Sequence, residues 1–190
     1  MRKIFRKYNL FFLLATVFIF TQSCTPSEPE KDWEKVYFSV TDLINNQVAE
    51  LQAKPSLLVK KDISFEEEIK QVYDSLINWE EELKIYATAD LNKPVLTGVY
   101  TIVGSKEENK VTYTANASDL EVQKMEVLFY EGNPTKITIL QKTENMLYKT
   151  QRILTLELKD AQLTNYAVEE TQKLLFRNAV DYKLSASLIQ

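Results

Sequence analysis

Residues 64–87 read "SFEEEIKQVYDSLINWEEELKIYA", and the architecture of the chain turns on whether this stretch is one helix. Apolar side chains fall at Phe65, Ile69, Val72, Leu76, Trp79, Leu83 and Tyr86. Their alternating steps of four and three residues trace the narrow seam of a helix packed against another helix. Ser64 with Glu67 has the capping-box form, in which each side chain satisfies an orphan amide. The hexapeptide "FEEEIK" (65–70) returns as "WEEELK" (79–84). In each copy a Glu precedes a Lys by four residues, Glu66 with Lys70 and Glu80 with Lys84, pairs worth about 0.2–0.5 kcal/mol on a helix. The spacing predicts a helix over 64–89, ended by Asn92 and Pro94. Both Glu triplets point away from the seam, so they read as a solvated face and not as a metal or glycosidase site.

Working outward, Trp33, Tyr37, Val40, Ile44, Val48 and Leu51 form one stripe, which predicts a first helix over 32–53 with Asp32 as its N-cap. "KPSLLVKKD" (54–62) reads as the connection between the two helices. After Pro94 the apolar period changes to two. Val99, Thr101 and Val103 alternate, then Val111, Tyr113 and Ala115, then Met125, Val127 and Phe129. "EGNP" (131–134) turns the chain into Ile137 and Ile139, and "TENM" (143–146) turns it into Leu154, Leu156 and Leu158. Further strands are expected near 163–169 and 180–189, while 164–176 is compatible with strand or short helix. Short connections make successive strands antiparallel neighbours. The expected fold is therefore α+β. An N-terminal helical hairpin packs on one face of an antiparallel meander of six or seven strands over 95–189, curled into a half-barrel in one version. Residues 32–190 form its single domain.

On the meander's other face most residues are polar, among them Thr112, Thr114, Glu126, Thr138, Thr155 and Lys183. Water suits such a face of an antiparallel sheet. Leu128, Tyr130, Leu140 and Ile153 are the exceptions and form the candidate binding patch, since contiguous exposed apolar surface marks partner or ligand sites.

The N-terminus carries a different signal. Arg2, Lys3, Arg6 and Lys7 precede an apolar run over 10–20, too short to cross a bilayer that needs about 20 residues. A basic start and a short apolar run describe a secretory signal. Ser23 then precedes Cys24, the only cysteine in the chain. These residues resemble the lipobox of bacterial lipoproteins, with Thr21 and Gln22 departing from the usual pattern, and the acidic "SEPEKD" (27–32) resembles Bacteroidota-type lipoproteins. The resemblance implies a signal peptide over 1–23, a diacylated or triacylated Cys24 at the mature N-terminus, and a tether over 24–31. It places the domain on the periplasmic or cell-surface face of the outer membrane. Asp74-Ser75-Leu76 resembles the short O-glycosylation signal of such bacteria, though on the helix reading Leu76 belongs to the seam.

Composition excludes much chemistry. With no histidine, the Ser-His-Asp and Cys-His arrangements cannot be built, and zinc, copper and non-haem iron lose their usual ligands. Glycines stand only at 98, 104 and 132, so no phosphate-cradling loop can be written. Removal of the signal leaves 19 Lys and Arg against 27 Asp and Glu, a poor balance for nucleic acid. No catalytic residue, metal or cofactor is expected. The expected role is a lipid-anchored, non-enzymatic envelope binding or accessory domain, held at the membrane by Cys24 and serving an apolar ligand, as half-barrel lipoprotein carriers do, or a partner protein. The alternatives are an assembly lipoprotein that oligomerises through its helices and a carboxylate-dependent hydrolase.

Overall fold

The computed structural model describes residues 35–54, 56–66 and 68–189. The expected signal peptide, Cys24, the tether and the Asp32 cap lie outside the described residues. Residues 35–190 form one compact unit, with the order α1 (Val40–Gln52), β1 (Leu58–Phe65), β2 (Glu68–Asp74), α2 (Trp79–Ala87), a short 3-10 turn (Pro94–Leu96), β3 (Tyr100–Ser105), β4 (Lys110–Ala115), β5 (Val122–Tyr130), β6 (Asn133–Glu144), β7 (Tyr148–Lys159), β8 (Gln162–Leu174) and β9 (Ala179–Ile189). All nine strands belong to one antiparallel sheet in the order β2-β1-β9-β8-β7-β6-β5-β4-β3. The fold is α+β, as the sequence indicates, but two expectations are corrected. The sheet has nine strands, and the helices do not form an N-terminal hairpin.

Both corrections come from residues 58–74. The expected connector and the first half of the expected second helix are instead the β1–β2 hairpin. Its turn is entered at Glu66, which adopts φ 52°. Strand β1 matches β9 residue for residue from Leu58–Ile189 to Phe65–Tyr182. That ladder joins residues far apart in sequence, which no reading of local spacing weighs, and such tertiary pairing overrides helical propensity. Helix α2 starts only at Trp79. There Asn78, not Ser64, is the cap, its side chain accepting from Glu81 N at 3.4 Å. Glu80, Glu81 and Glu82 in the first turn suit the positive end of the helix dipole. Lys84 pairs with Glu81, not with Glu80.

Helix α1 is also shorter than expected. Tyr37 is not helical. Its ring packs edge-on against Tyr100 and Tyr113 at centroid distances of 5.6 and 5.7 Å, and its hydroxyl donates to Leu96 O and accepts from Gly98 N. Ser39 caps α1, and the buried Asp90 carboxylate accepts from Thr41 N at 2.7 Å, Ser39 Oγ and Asn92 N. These bonds tie the start of α1 to the end of α2. At its other end, buried Gln47 donates to Ala161 O and accepts from Leu163 N, fixing α1 to the β7–β8 turn.

The core lies between the helices and one sheet face. Val40, Ile44, Val48 and Leu51 of α1 and Trp79, Leu83 and Tyr86 of α2 meet Val111, Tyr113, Met125, Val127, Ile137, Ile139, Leu154, Leu156, Leu158, Tyr166 and Val168. Most of the inward sheet set follows from the period of two. Strand β3 is the exception: Tyr100 is buried and Val103 exposed, so the inward residues are offset by one from the Val99–Thr101–Val103 set. Residues 164–174 are strand. Among the described residues no helix is long and apolar enough to cross a membrane.

Candidate functional site

Three neighbouring strands change character at one level of the inner face. Along β6 the inward residues run Ile137, Ile139, then Gln141 and Thr143. Along β7 they run Leu158, Leu156, Leu154, then Arg152, Thr150 and Tyr148. Along β8 they run Tyr166, Val168, then Glu170 and Gln172, while β9 keeps an apolar edge with Leu184, Tyr182 and Val180. Register aligns the switch, with Gln141 opposite Arg152, Arg152 opposite Glu170 and Glu170 opposite Tyr182. The apolar rows lie beneath the helices, and the polar rows continue past them.

The uncovered end is a concavity of about 240 Å³ lined by Glu121, Gln141, Thr143, Tyr148, Thr150, Arg152, Glu170 and Gln172. Its floor is a chain of hydrogen bonds. Arg152 Nε donates to Glu170 Oε2 at 2.7 Å, Arg152 Nη1 reaches Gln141 Oε1 at 3.5 Å, and Gln141 Nε2 donates to Glu121 Oε1 at 3.2 Å. Gln141 is 4% exposed, whereas Arg152 and Glu170 keep about a quarter of their side chains in contact with solvent. Rigid polar groups on a strand platform, within reach of water and beside the Tyr148 ring, suit recognition of a polar partner. The Glu170 carboxylate is already occupied by a guanidinium, so it serves the floor as a fixed hydrogen-bonding group.

A second polar cluster is a strut. Lys61 Nζ lies 2.8 Å from Glu82, and Tyr166 Oη donates to the same Glu82 oxygen at 2.6 Å. Tyr86 Oη donates to Ala167 O. Burial first, then the bond to Glu82, pushes the Tyr166 phenol up, and burial with the nearby Glu82 charge does the same for Tyr86. Both phenols therefore stay protonated. The cluster pins α2 to β1 and β8, which explains how a lysine is tolerated on the inner face.

The residues of the expected patch are split. Leu140 and Ile153 are direct cross-strand partners on the outer face. Leu128 pairs with Lys136, two levels away past Glu126 and Thr138, and Tyr130 pairs with Asn133 beyond a bulge at Leu128/Phe129. Only Tyr130 of the four is largely exposed. Leu76, expected in the helix seam, is 92% exposed in the connector after β2, where Asp74 Oδ1 accepts its amide. The concavity escaped the sequence reading although a signal existed: in "MLYKTQRI" (146–153) the period of two continues with polar residues in the inward places.

Among the described residues no group of three or more His, Cys, Asp or Glu stands together as a metal site. Comparison with known proteins finds no matching family model, no matching curated protein and no matching solved structure.

Proposed function

We propose that this chain is a lipid-anchored, non-enzymatic binding domain of the bacterial cell envelope, attached through Cys24 to the outer membrane, whose site is the uncovered end of the inner sheet face. The observation that carries this reading is the hydrogen-bonded row Glu170–Arg152–Gln141–Glu121 on the floor of the concavity past the helices. Solvent past the edge of the helices accounts for polar side chains on β6, β7 and β8, but a hydrogen-bonded floor that holds Gln141 at 4% exposure goes beyond it. The partner is a polar segment of another envelope protein. An apolar ligand is less well supported, because the space between helices and sheet is filled by Tyr86, Tyr166, Leu83 and Met125. Oligomerisation through the helices loses its surface, since the buried faces of α1 and α2 lie against each other and the sheet.

The half-barrel curl belongs to this proposal. Tyr37, just before α1, touches Tyr100 of β3, and Glu82 of α2 touches Lys61 of β1. Those strands stand seven places apart in the sheet, about 34 Å if flat. Two helices packed 8–10 Å apart, one about 20 Å and the other about 13 Å long, reach both more readily on a sheet that bends around them, which supports the curl.

Site-specific photo-crosslinking in cells tests the reading. A crosslinker at Thr150 or Gln172 should yield a defined adduct, one at outer-face Thr155 should not, and Arg152→Ala should abolish it. Adducts from Thr155 as strong as those from Thr150 would overturn the site. For the anchor, Cys24→Ala should let a high-salt wash release the protein from membranes; retention after that wash would overturn it.

A further inference from the structure

Beyond the polar concavity the same end of the sheet carries two neighbouring hairpin tips. Residues 145–147 join β6 to β7, and residues 175–178 join β8 to β9. Leu175 N donates to Leu147 O at 2.8 Å, and Tyr148 pairs with Leu174, so the tips form one unit. Together they display Met146 (91% exposed), Leu147, Leu174, Leu175 and Phe176 (96% exposed). Exposed apolar residues scattered singly need no explanation, but a contiguous group does. Phe176 is held outward with φ 64°, a backbone region that a bulky side chain rarely adopts.

The charge beneath the tips is equally unusual. Residues 35–190 hold 18 Lys and Arg against 23 Asp and Glu, yet the tips are ringed by Lys142, Lys149, Lys173 and Arg177. Lys149 and Lys173 are direct cross-strand partners, an opposition of like charges that destabilises a sheet. Glu144 pairs with Lys149, while Lys142, Lys173 and Arg177 have no carboxylate partner among the described residues. Among the described residues only Glu144, through Lys149, offsets this arrangement.

We propose that the paired tips insert into the interface of an anionic lipid bilayer. Met146, Leu147, Leu175 and Phe176 enter the boundary between headgroups and acyl chains, and Lys149, Lys173 and Arg177 meet the headgroup phosphates. Apolar side chains below a cationic collar are the composition that binds such an interface, and each cation near an anionic surface adds about fivefold in affinity. The apolar side chains of the tips are largely exposed, which suits a deformable lipid surface. Glu66 and Glu68 lie at the same end, beside the start of β9 through the bond from Glu66 N to Asp181 O. They confine the contact to the β6–β8 side. The proposal is separate from the concavity and survives if that site proves wrong.

The full chain is mixed with vesicles of phosphatidylcholine alone, or of equal parts phosphatidylcholine and phosphatidylglycerol. Oxidation of Met146 by a brief hydroxyl-radical pulse is then read by peptide mass spectrometry, with buried Met125 as the control for an intact fold. Met146 should be protected several-fold on the anionic vesicles only, and high salt should remove the protection. Lys173→Gln with Arg177→Gln should raise the lipid concentration for half-protection about 30-fold. Unchanged oxidation on anionic vesicles would overturn the proposal, as would equal protection on both vesicle types. Protection that grows with protein concentration in the absence of lipid would overturn it too, by showing that a second copy covers the tips.

Discussion

Residues 65–70 and 79–84 share the pattern aromatic, three Glu, aliphatic, Lys, yet the first copy is the end of one strand and the start of the next while the second opens a helix. In the first copy Phe65 and Ile69 are 52% and 81% exposed; in the second Trp79 and Leu83 are buried. Local chemistry is nearly the same, so the difference is made by what each copy meets. The first continues a strand already zipped to β9 over eight residue pairs. The second follows Asn78, a working cap, and sets its apolar face on the core. This divergence also makes the candidate site. A helix over 64–89 would be about 39 Å long, close to the length of a twelve-residue strand such as β7, and would cover the inner face from end to end. The observed α2 is about 13 Å long and leaves the rows of Arg152 and Thr150 uncovered.

Equivalent substitutions in the two copies should therefore give unequal results. The largest contrast is in the apolar pair. Trp79→Ala or Leu83→Ala should cost about 2–5 kcal/mol in urea unfolding, whereas Ile69→Ala should leave the midpoint almost unchanged. Next come the third glutamates. Glu82→Ala leaves Lys61 on the inner face with only the more distant Asp74 carboxylate at 3.9 Å and should cost about 1–3 kcal/mol, partly recovered by Lys61→Met in the same chain; exposed Glu68→Ala should have no measurable effect. The caps differ less. Asn78→Ala should cost about 1 kcal/mol, and Ser64→Ala, the cap of a helix that does not form, should cost nothing that thermal melting detects.

The smallest effect at neutral pH is alkaline. Burial, then the neighbouring Tyr37 and Glu121, pushes buried Tyr100 up to about 12, against roughly 10 in an unfolded chain. A raised folded value means the native state holds the proton longer. Its contribution to stability is complete below pH 10 and is lost as pH climbs from about 10 to about 12. Tyr86 and Tyr166, also shifted upward, extend the loss beyond that window and loosen the seat of α2. Denaturant midpoints measured from pH 8 upward should stay level and then fall, and Tyr100→Phe should make the fall shallower.

What the sequence disclosed depended on how far apart the deciding partners lie. The meander from Tyr100 to Ile189 is legible because each strand pairs with the next across a short turn, and period two marks Met125, Val127, Ile137, Ile139, Leu154 and Leu156 as inward. The β1–β2 hairpin is not, because Val59 and Lys61 find their partners at Leu188 and Ala186, and the 65–86 spacing satisfies a helix equally well. Strand β3 was legible as a strand but offset by one, since Tyr100, Thr101, Ile102 and Val103 offer apolar or β-forming side chains to both faces. The concavity was half visible. Its residues were within reach of the period-two pattern, but that they form one row needs the register of three strands together. Leu128 and Tyr130 looked like neighbours of Leu140 until the bulge and the register separated them.

The secondary structure of residues 64–74 in solution is the most direct test, because the uncovered end of the sheet exists only if this segment is not helical. Backbone chemical shifts and nuclear Overhauser contacts of the full chain should show extended residues, with cross-strand contacts from Lys61 to Val72 and from Lys61 to Ala186. Helical shifts running unbroken from Ser64 through Trp79 would contradict the hairpin and, with it, the site.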